Sequence, residues 1–156
     1  MKLKASAEYG IRTVVYLAVS NRVCSSREIS ENVSIPRDYL IQLALRLRKA
    51  DLIKAHPGKN GGYSLAKPAT EITVGQILDA FEQGLKRTQR NEVDAPEDAT
   101  DETIEVLKIC GVIEELFDAC LDSIVIQDLV DAYEAGVPGE QLISTLLKRG
   151  SERTAQ

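Results

Sequence analysis

The stretch from Ser25 to Tyr63 constrains this chain more than any other: it holds two short helical patterns separated by a turn carrying proline, and then a hairpin rich in glycine. Ser25-Ser26-Arg27-Glu28 opens the first pattern, with a hydroxyl able to cap the third helical N–H and a carboxylate able to reach back to the Ser25 N–H. That helix is brief. Ile29 and Val33 are its inward residues, and Asn32-Val33-Ser34-Ile35-Pro36 supplies turn formers and then a proline, which is best tolerated in a first helical turn. A second helix therefore opens at Pro36, with Leu40, Leu43, Ala44 and Leu47 recurring as one apolar stripe. Its opposite face carries Asp38, Gln42, Arg46 and Lys49, with Arg37 and Ile41 on the flank. A charged outer face by itself is equally a solvated one.

The hairpin after this helix decides between a reading face and a solvated one. Leu52-Ile53-Lys54-Ala55-His56 and Tyr63-Ser64-Leu65-Ala66 read as short strands around Pro57-Gly58-Lys59-Asn60-Gly61-Gly62, a cluster of turn formers. The glycines free the backbone at the tip to approach a partner closely, which suits a loop lying on phosphates or in a minor groove. Helix, turn, helix and wing together predict a mainly α winged helix-turn-helix, in which the second helix enters the major groove. The candidate DNA-binding residues are then Arg37, Asp38, Tyr39, Ile41, Gln42, Arg46 and Lys49 on that helix, and Lys59, Asn60 and Gly61 on the wing.

Charge divides the chain in the same way. Residues 1–68 hold 12 Lys and Arg against 5 Asp and Glu, whereas the remainder holds 7 against 19, for a net charge of −5. The local field at a reading surface governs counterion release, so the acidic total does not exclude nucleic acid. A hydrophobic content of 44% and charged content of 28% fit a soluble globular chain. No run approaches the roughly 18 apolar residues that span a bilayer, and Glu8 and Arg12 interrupt the N-terminal apolar run, so no signal peptide and no membrane are expected. The expected compartment is the cytoplasm, where an odd number of cysteines, three, sits without a disulfide framework.

Around the motif, Ser6 to Ser20 reads as a helix capped by Ser6, with Ile11, Val14, Val15 and Ala18 inward. Thr73 caps a helix holding Val74, Ile77, Leu78 and Phe81. The DNA-binding unit is thus expected over residues 1–82, a polar flexible loop over 83–100, and a dimerisation helix with a short helix after it over 101–135. An amphipathic tail over 136–156 would form a last turn or two through Leu142, Ile143, Leu146 and Leu147. The long helix from Asp101 to Ser123 spans roughly 30 Å, more than a domain of this size can cover, so its apolar residues Ile104, Leu107, Ile113, Leu116, Phe117 and Cys120 need a partner. A second copy of the same helix is the simplest one, making a homodimer that meets paired half-sites.

Met1-Lys2-Leu3, Tyr9, Tyr39-Leu40-Ile41-Gln42-Leu43, Leu47-Arg48-Lys49-Ala50-Asp51-Leu52-Ile53, Gly61-Gly62-Tyr63-Ser64-Leu65-Ala66 and Glu71-Ile72-Thr73-Val74 together resemble the Rrf-two family of bacterial regulators. The match is dense over residues 1–82, and Ser123 to Val130 resembles the segment after the family's dimerisation helix. The resemblance implies a winged-helix homodimer that binds a palindromic operator in double-stranded DNA and commonly represses. The chain departs from the family pattern at Pro57, where many members place Arg, and at Pro36, where a small or polar cap is usual, so no operator sequence carries over. Members that hold an iron-sulfur cluster carry three closely spaced cysteines between the fourth and dimerisation helices, followed shortly by a histidine. Here Gln83 to Ile109 contains neither residue type, and the third cysteine and histidine positions fall near Ile104 and Leu107.

Cys110 and Cys120 lie ten residues apart on one expected helix, hence roughly 15 Å apart, too far to share a small cluster within a chain. Glu8 with Cys110 across a dimer is a conceivable non-standard set, although Arg12 occupies the place of a second ligand from the first helix. No cofactor and no metal is therefore expected, and Cys120 reads as a small apolar residue of the dimer stripe. The single histidine, His56, ends the first wing strand near phosphate, and no nucleophile, phosphate-cradling loop or carboxylate pair accompanies it, so catalysis is not expected. The expectation is a DNA-binding repressor with a small-molecule, protein or thiol input. The alternatives are a redox regulator with non-standard ligands and a winged-helix module for protein contacts.

Overall fold

The computed structural model describes residues 4–81 and 96–154. The chain runs α1 (Ala5–Ser20), α2 (Ser26–Val33), α3 (Arg37–Lys49), β1 (Ile53–His56), β2 (Gly62–Leu65), a short 3-10 turn, α4 (Val74–Phe81), α5 (Asp101–Ser123), α6 (Ile126–Glu134) and α7 (Gly139–Thr154). Of the loop expected over 83–100, residues 83–95 lie outside the described residues; Pro96 to Ala99 form a turn, and the Thr100 hydroxyl caps α5 by accepting from the Thr103 N–H.

Short polar residues punctuate the chain. Asn21, Ser34 and Asp51 end α1, α2 and the segment after α3 with φ of 48°, 55° and 54°, the left-handed region that Asn and Asp tolerate better than branched residues. Between α2 and α3 the buried Ile35 is held from both sides, its N–H donating to the Ser30 carbonyl at 3.1 Å and its carbonyl accepting from the Ser30 hydroxyl at 2.6 Å. At α4 the Thr73 hydroxyl caps the Gln76 N–H at 3.1 Å, and the Gln76 side chain returns toward the Thr73 N–H.

The inward face of α1 is Ala7, Gly10, Thr13, Val14 and Leu17, whereas the sequence pointed to Ile11, Val14, Val15 and Ala18; only Val14 is common to both, and the other three are half-buried. The reason is that α1 is a central helix, packed on α2, α3, α4, α6 and β2, so its apolar residues surround the axis and periodicity cannot choose one stripe. Lys4, not Ser6, precedes its first turn, and no side chain caps it. Thr13 sits in the core because its hydroxyl donates to the Tyr9 carbonyl at 2.8 Å.

One core runs through α1, α2, α3, α4 and α6, with Ile126 and Val130 of α6 among Leu17, Ile29, Leu40, Leu47 and Ile77. The corner after α5 returns to this core through paired backbone bonds, Val74 N–H to Ile124 O at 2.9 Å and Ile126 N–H to Ile72 O at 2.8 Å. The tail is also more ordered than a turn or two, forming a 16-residue helix. Asp128, 4% exposed, accepts Arg153 in a fork at 2.9 and 3.0 Å and the Val125 N–H at 3.2 Å, and Arg149 donates to Asp131 at 3.1 Å. Tertiary ion pairs thus extend the helix beyond what its apolar residues specify.

Ser25 caps α2 as its spacing predicts, accepting the Glu28 N–H at 3.1 Å. Hydrogen bonds from Arg22, then from the Tyr16 hydroxyl at 2.9 Å and the Ser25 backbone, hold the Glu28 carboxyl below its ordinary range against the opposing effect of burial. A carboxyl depressed in the folded state contributes stability above its unfolded pKa of about 4.3 and loses it as pH falls through the folded value. Glu28→Gln is accordingly expected to lower the melting temperature at neutral pH and to flatten its decline below about pH 4.5, as thermal unfolding monitored by circular dichroism across pH will show.

Candidate nucleic-acid interface

Helix α3 buries Leu40, Leu43, Ala44 and Leu47 and turns the rest outward. Arg37, Asp38, Tyr39, Gln42, Arg46 and Lys49 are exposed, and Ile41 is half-buried. Leu45, 44% exposed, lies one turn beyond Ile41 on the same outer face, a position that sequence reasoning missed because an apolar residue there is taken as inward. An exposed leucine there can meet a thymine methyl as well as water.

Two contacts fix the start of this face. The Arg37 guanidinium donates to the Ser26 hydroxyl at 3.0 Å, tying the start of α3 to the start of α2. The Tyr39 ring meets Tyr9 edge-on, 5.9 Å between centroids and 82° between planes, and Arg12 lies over Tyr9 at 5.5 Å while also pairing with Glu8. The basic residues Arg46, Arg48 and Lys49 crowd the last turn.

The wing pairs in antiparallel register, Ile53 with Leu65, Lys54 with Ser64, Ala55 with Tyr63 and His56 with Gly62. His56 shares a 2.8 Å hydrogen bond with the Ser64 hydroxyl across the strands. The tip closes through the Gly61 N–H to the Gly58 carbonyl at 3.0 Å, leaving Lys59 and Asn60 exposed and Gly61 half-buried. Sequence reasoning missed the wing's anchor. The buried Cys24 exchanges both backbone hydrogen bonds with Tyr63, at 2.9 and 2.8 Å, so a third extended segment lies beside β2. Burial pushes the Cys24 thiol up, away from the thiolate form.

Away from this face, α5 buries none of its 23 residues. Its exposed apolar residues are Val106, Ile109, Val112, Ile113, Leu116 and Phe117. Ile113, Leu116 and Phe117 of the expected stripe belong to this side, and Cys120 is half-buried. Ile104 and Leu107 are half-buried too, and at about 100° per residue they project to the opposite side of α5 from Ile113. The stripe on the exposed side is spaced by threes and fours through Val106, Ile109, Ile113, Leu116 and Cys120.

The donor groups of the chain are dispersed. Cys24 is in the core, His56 on the wing, Cys110 exposed on α5 and Cys120 half-buried ten residues later, roughly 15 Å along the helix. Among the described residues no three His, Cys, Asp or Glu side chains gather where they could hold a metal ion, so these donors are not arranged as one iron-sulfur cluster within a chain would need. Among the described residues no helix is long and apolar enough to cross a membrane.

Proteins similar to this chain include regulators of transcription. A family model, Rrf2, described as an iron-dependent transcriptional regulator, matches residues 3–132. The transcriptional regulator IscR of Cereibacter sphaeroides is 39% identical over 87 residues, covering 53% of this chain and 56% of that protein. The chain spans about half the length of the curated relatives it matches. Among solved structures, IscR of T. potens superposes with a TM-score of 0.65 at 29% identity, covering 89% of this chain and 93% of that one. CymR, the global cysteine regulator of B. subtilis, superposes with a TM-score of 0.64 at 28% identity, covering 84% and 97%.

Proposed function

The chain belongs to the Rrf2 family of transcriptional regulators, and from that premise we propose that it is a homodimeric repressor that reads a palindromic operator with α3 and grips flanking phosphates with its wing. The observation that carries the reading is what two packed elements leave outside: α3 exposes an edge from Asp38 through Gln42 to Lys49, and the hairpin that packs on α3 through β1 exposes Lys59 and Asn60 at its tip. Basic side chains at a helix and a loop of this kind supply the sequence-independent attraction, and amide side chains at the groove supply choice of base.

The dispersed donors support action without a cluster, so the protein purified without oxygen is expected to lack visible charge-transfer absorption and to bind its operator with no metal added. Stoichiometric iron and sulfide in such a preparation would contradict this, and Glu8, Cys110 and Cys120 of both subunits would then be the ligands to replace first.

Gln42 and Lys59 separate base reading from phosphate contact. Gln42→Ala is expected to relax discrimination at one base pair by about 1–3 kcal/mol, and Lys59→Ala to weaken binding to every duplex and reduce the salt slope by about one. Titration of duplexes differing at single positions, at several salt concentrations, distinguishes the two. Uniform loss from both substitutions would remove α3 from the role of reader.

A further inference from the structure

A cleft of about 330 Å³ opens between the first turn of α1, one flank of α3 and the end of α4. Its floor is apolar, made by Leu43 and Phe81, and the exposed ring of Tyr39 walls one side. Its rim is cationic. Lys4 and Arg46 stand there, and among the described residues neither has a carboxylate within ion-pair distance, whereas the carboxylate in the first turn of α1, Glu8, is taken up by Arg12. The first turn adds donors. The Ala7 and Glu8 N–H groups both go to the Lys4 carbonyl, which leaves the N–H of Ser6, a residue lining the cleft, without an acceptor inside the helix, and among the described residues no side chain caps this turn.

The pairing of a cationic, N–H-bearing rim with an apolar floor fits one ligand chemistry. An inorganic phosphate or a backbone phosphate satisfies the rim and leaves the floor unused, while a neutral apolar molecule leaves the rim charges unmet. The volume lies at the small end for ligand sites, enough for one ring. We propose that this cleft binds a small organic anion, a carboxylate or phosphate on a single apolar ring, and that the bound anion draws Gln42 and Arg46 away from DNA. The site deepens the proposed function and rests on it in its second half, because Gln42 and Arg46 line the cleft and also stand on the edge assigned to DNA. Ligand and operator then compete for the same side chains, so the anion acts as an inducer.

Phenyl phosphate is the probe, titrated calorimetrically into the full chain without DNA. The result expected is saturable binding of one molecule per chain, at least tenfold tighter than inorganic phosphate, and at least tenfold weakened by Lys4→Gln, which removes an exposed charge, or by Ser6→Leu, which narrows the cleft. No saturable binding, or binding indifferent to both substitutions, overturns the site. Equal binding of inorganic phosphate overturns the organic ligand and leaves a seat for a DNA phosphate. In a second arm, phenyl phosphate at concentrations that fill the cleft should weaken duplex binding by the wild-type chain and spare the Lys4→Gln chain; equal weakening of both overturns the competition. A chain that binds no duplex at all refutes the DNA reading and the coupling with it, while the direct titration still decides the cleft.

Discussion

Replacing Leu116 with Glu is expected to leave the chain folded and to abolish the dimer. Leu116 is 66% exposed in the single chain, and its neighbours on the stripe, Ile109 and Ile113, are each 62% exposed, so nothing among the described residues depends on packing at this position. Six large apolar side chains lie on one side of this helix, the kind of patch that the proposed dimer would cover. Spacing by threes and fours is what two such helices require to interlock. A glutamate at the centre of that interface is a buried, unpaired carboxylate, a change that typically costs about 3–5 kcal/mol and weakens association on the order of a thousandfold. Sedimentation at micromolar concentration should therefore give a dimer for the wild type and a monomer with unchanged helicity for Leu116→Glu. A variant that stays dimeric places the interface elsewhere.

Gly62→Ala is expected to detach the wing. A Cβ at Gly62 would lie 2.0 Å from the Cys24 carbonyl oxygen and 2.8 Å from the Ser25 Cα, both main-chain atoms held in place by the Cys24–Tyr63 bridge and the start of α2. Backbone cannot swing aside as a side chain can, so the added methyl must break the two bridge hydrogen bonds. Overpacking and two lost bonds together cost about 3 kcal/mol. Gly111→Ala is the control, since a Cβ there meets nothing within 4 Å in the middle of α5 and should be neutral or stabilising by about 0.5–1 kcal/mol. Denaturant unfolding reads the stabilities, and duplex binding should fall with Gly62→Ala alone. A Gly62→Ala chain as stable as the wild type would mean that the bridge contributes nothing to holding the wing.

The winged motif was legible because its signals are local. Ser25 caps α2, Pro36 precedes α3, Thr73 caps α4 and the glycines close the hairpin, and each of these acts within a few residues of itself. The missed features depend on partners far along the chain. Cys24 pairs with Tyr63, Asp128 with Arg153, and the corner after α5 with Ile72, separations that periodicity does not report. Helix α1 hid its inward face because it touches neighbours all round, and α5 hid its stripe because both of its sides carry apolar residues, Ile104 and Leu107 on one and Ile113 and Leu116 on the other. Of the candidate interface, Leu45 was missed because an apolar residue on a helix is read as inward by default. The cleft beneath α3 had no sequence signal, since it joins Lys4, Arg46 and Phe81 across three helices.

If α3 and the wing of a two-fold dimer read DNA, selection of bound duplexes from a random pool will enrich an inverted repeat whose half-sites lie about 10 base pairs apart, or a multiple of that spacing, centre to centre, with affinity that falls steeply with salt. Recovery of the input pool unchanged, with no salt-dependent retention of any duplex, would contradict it.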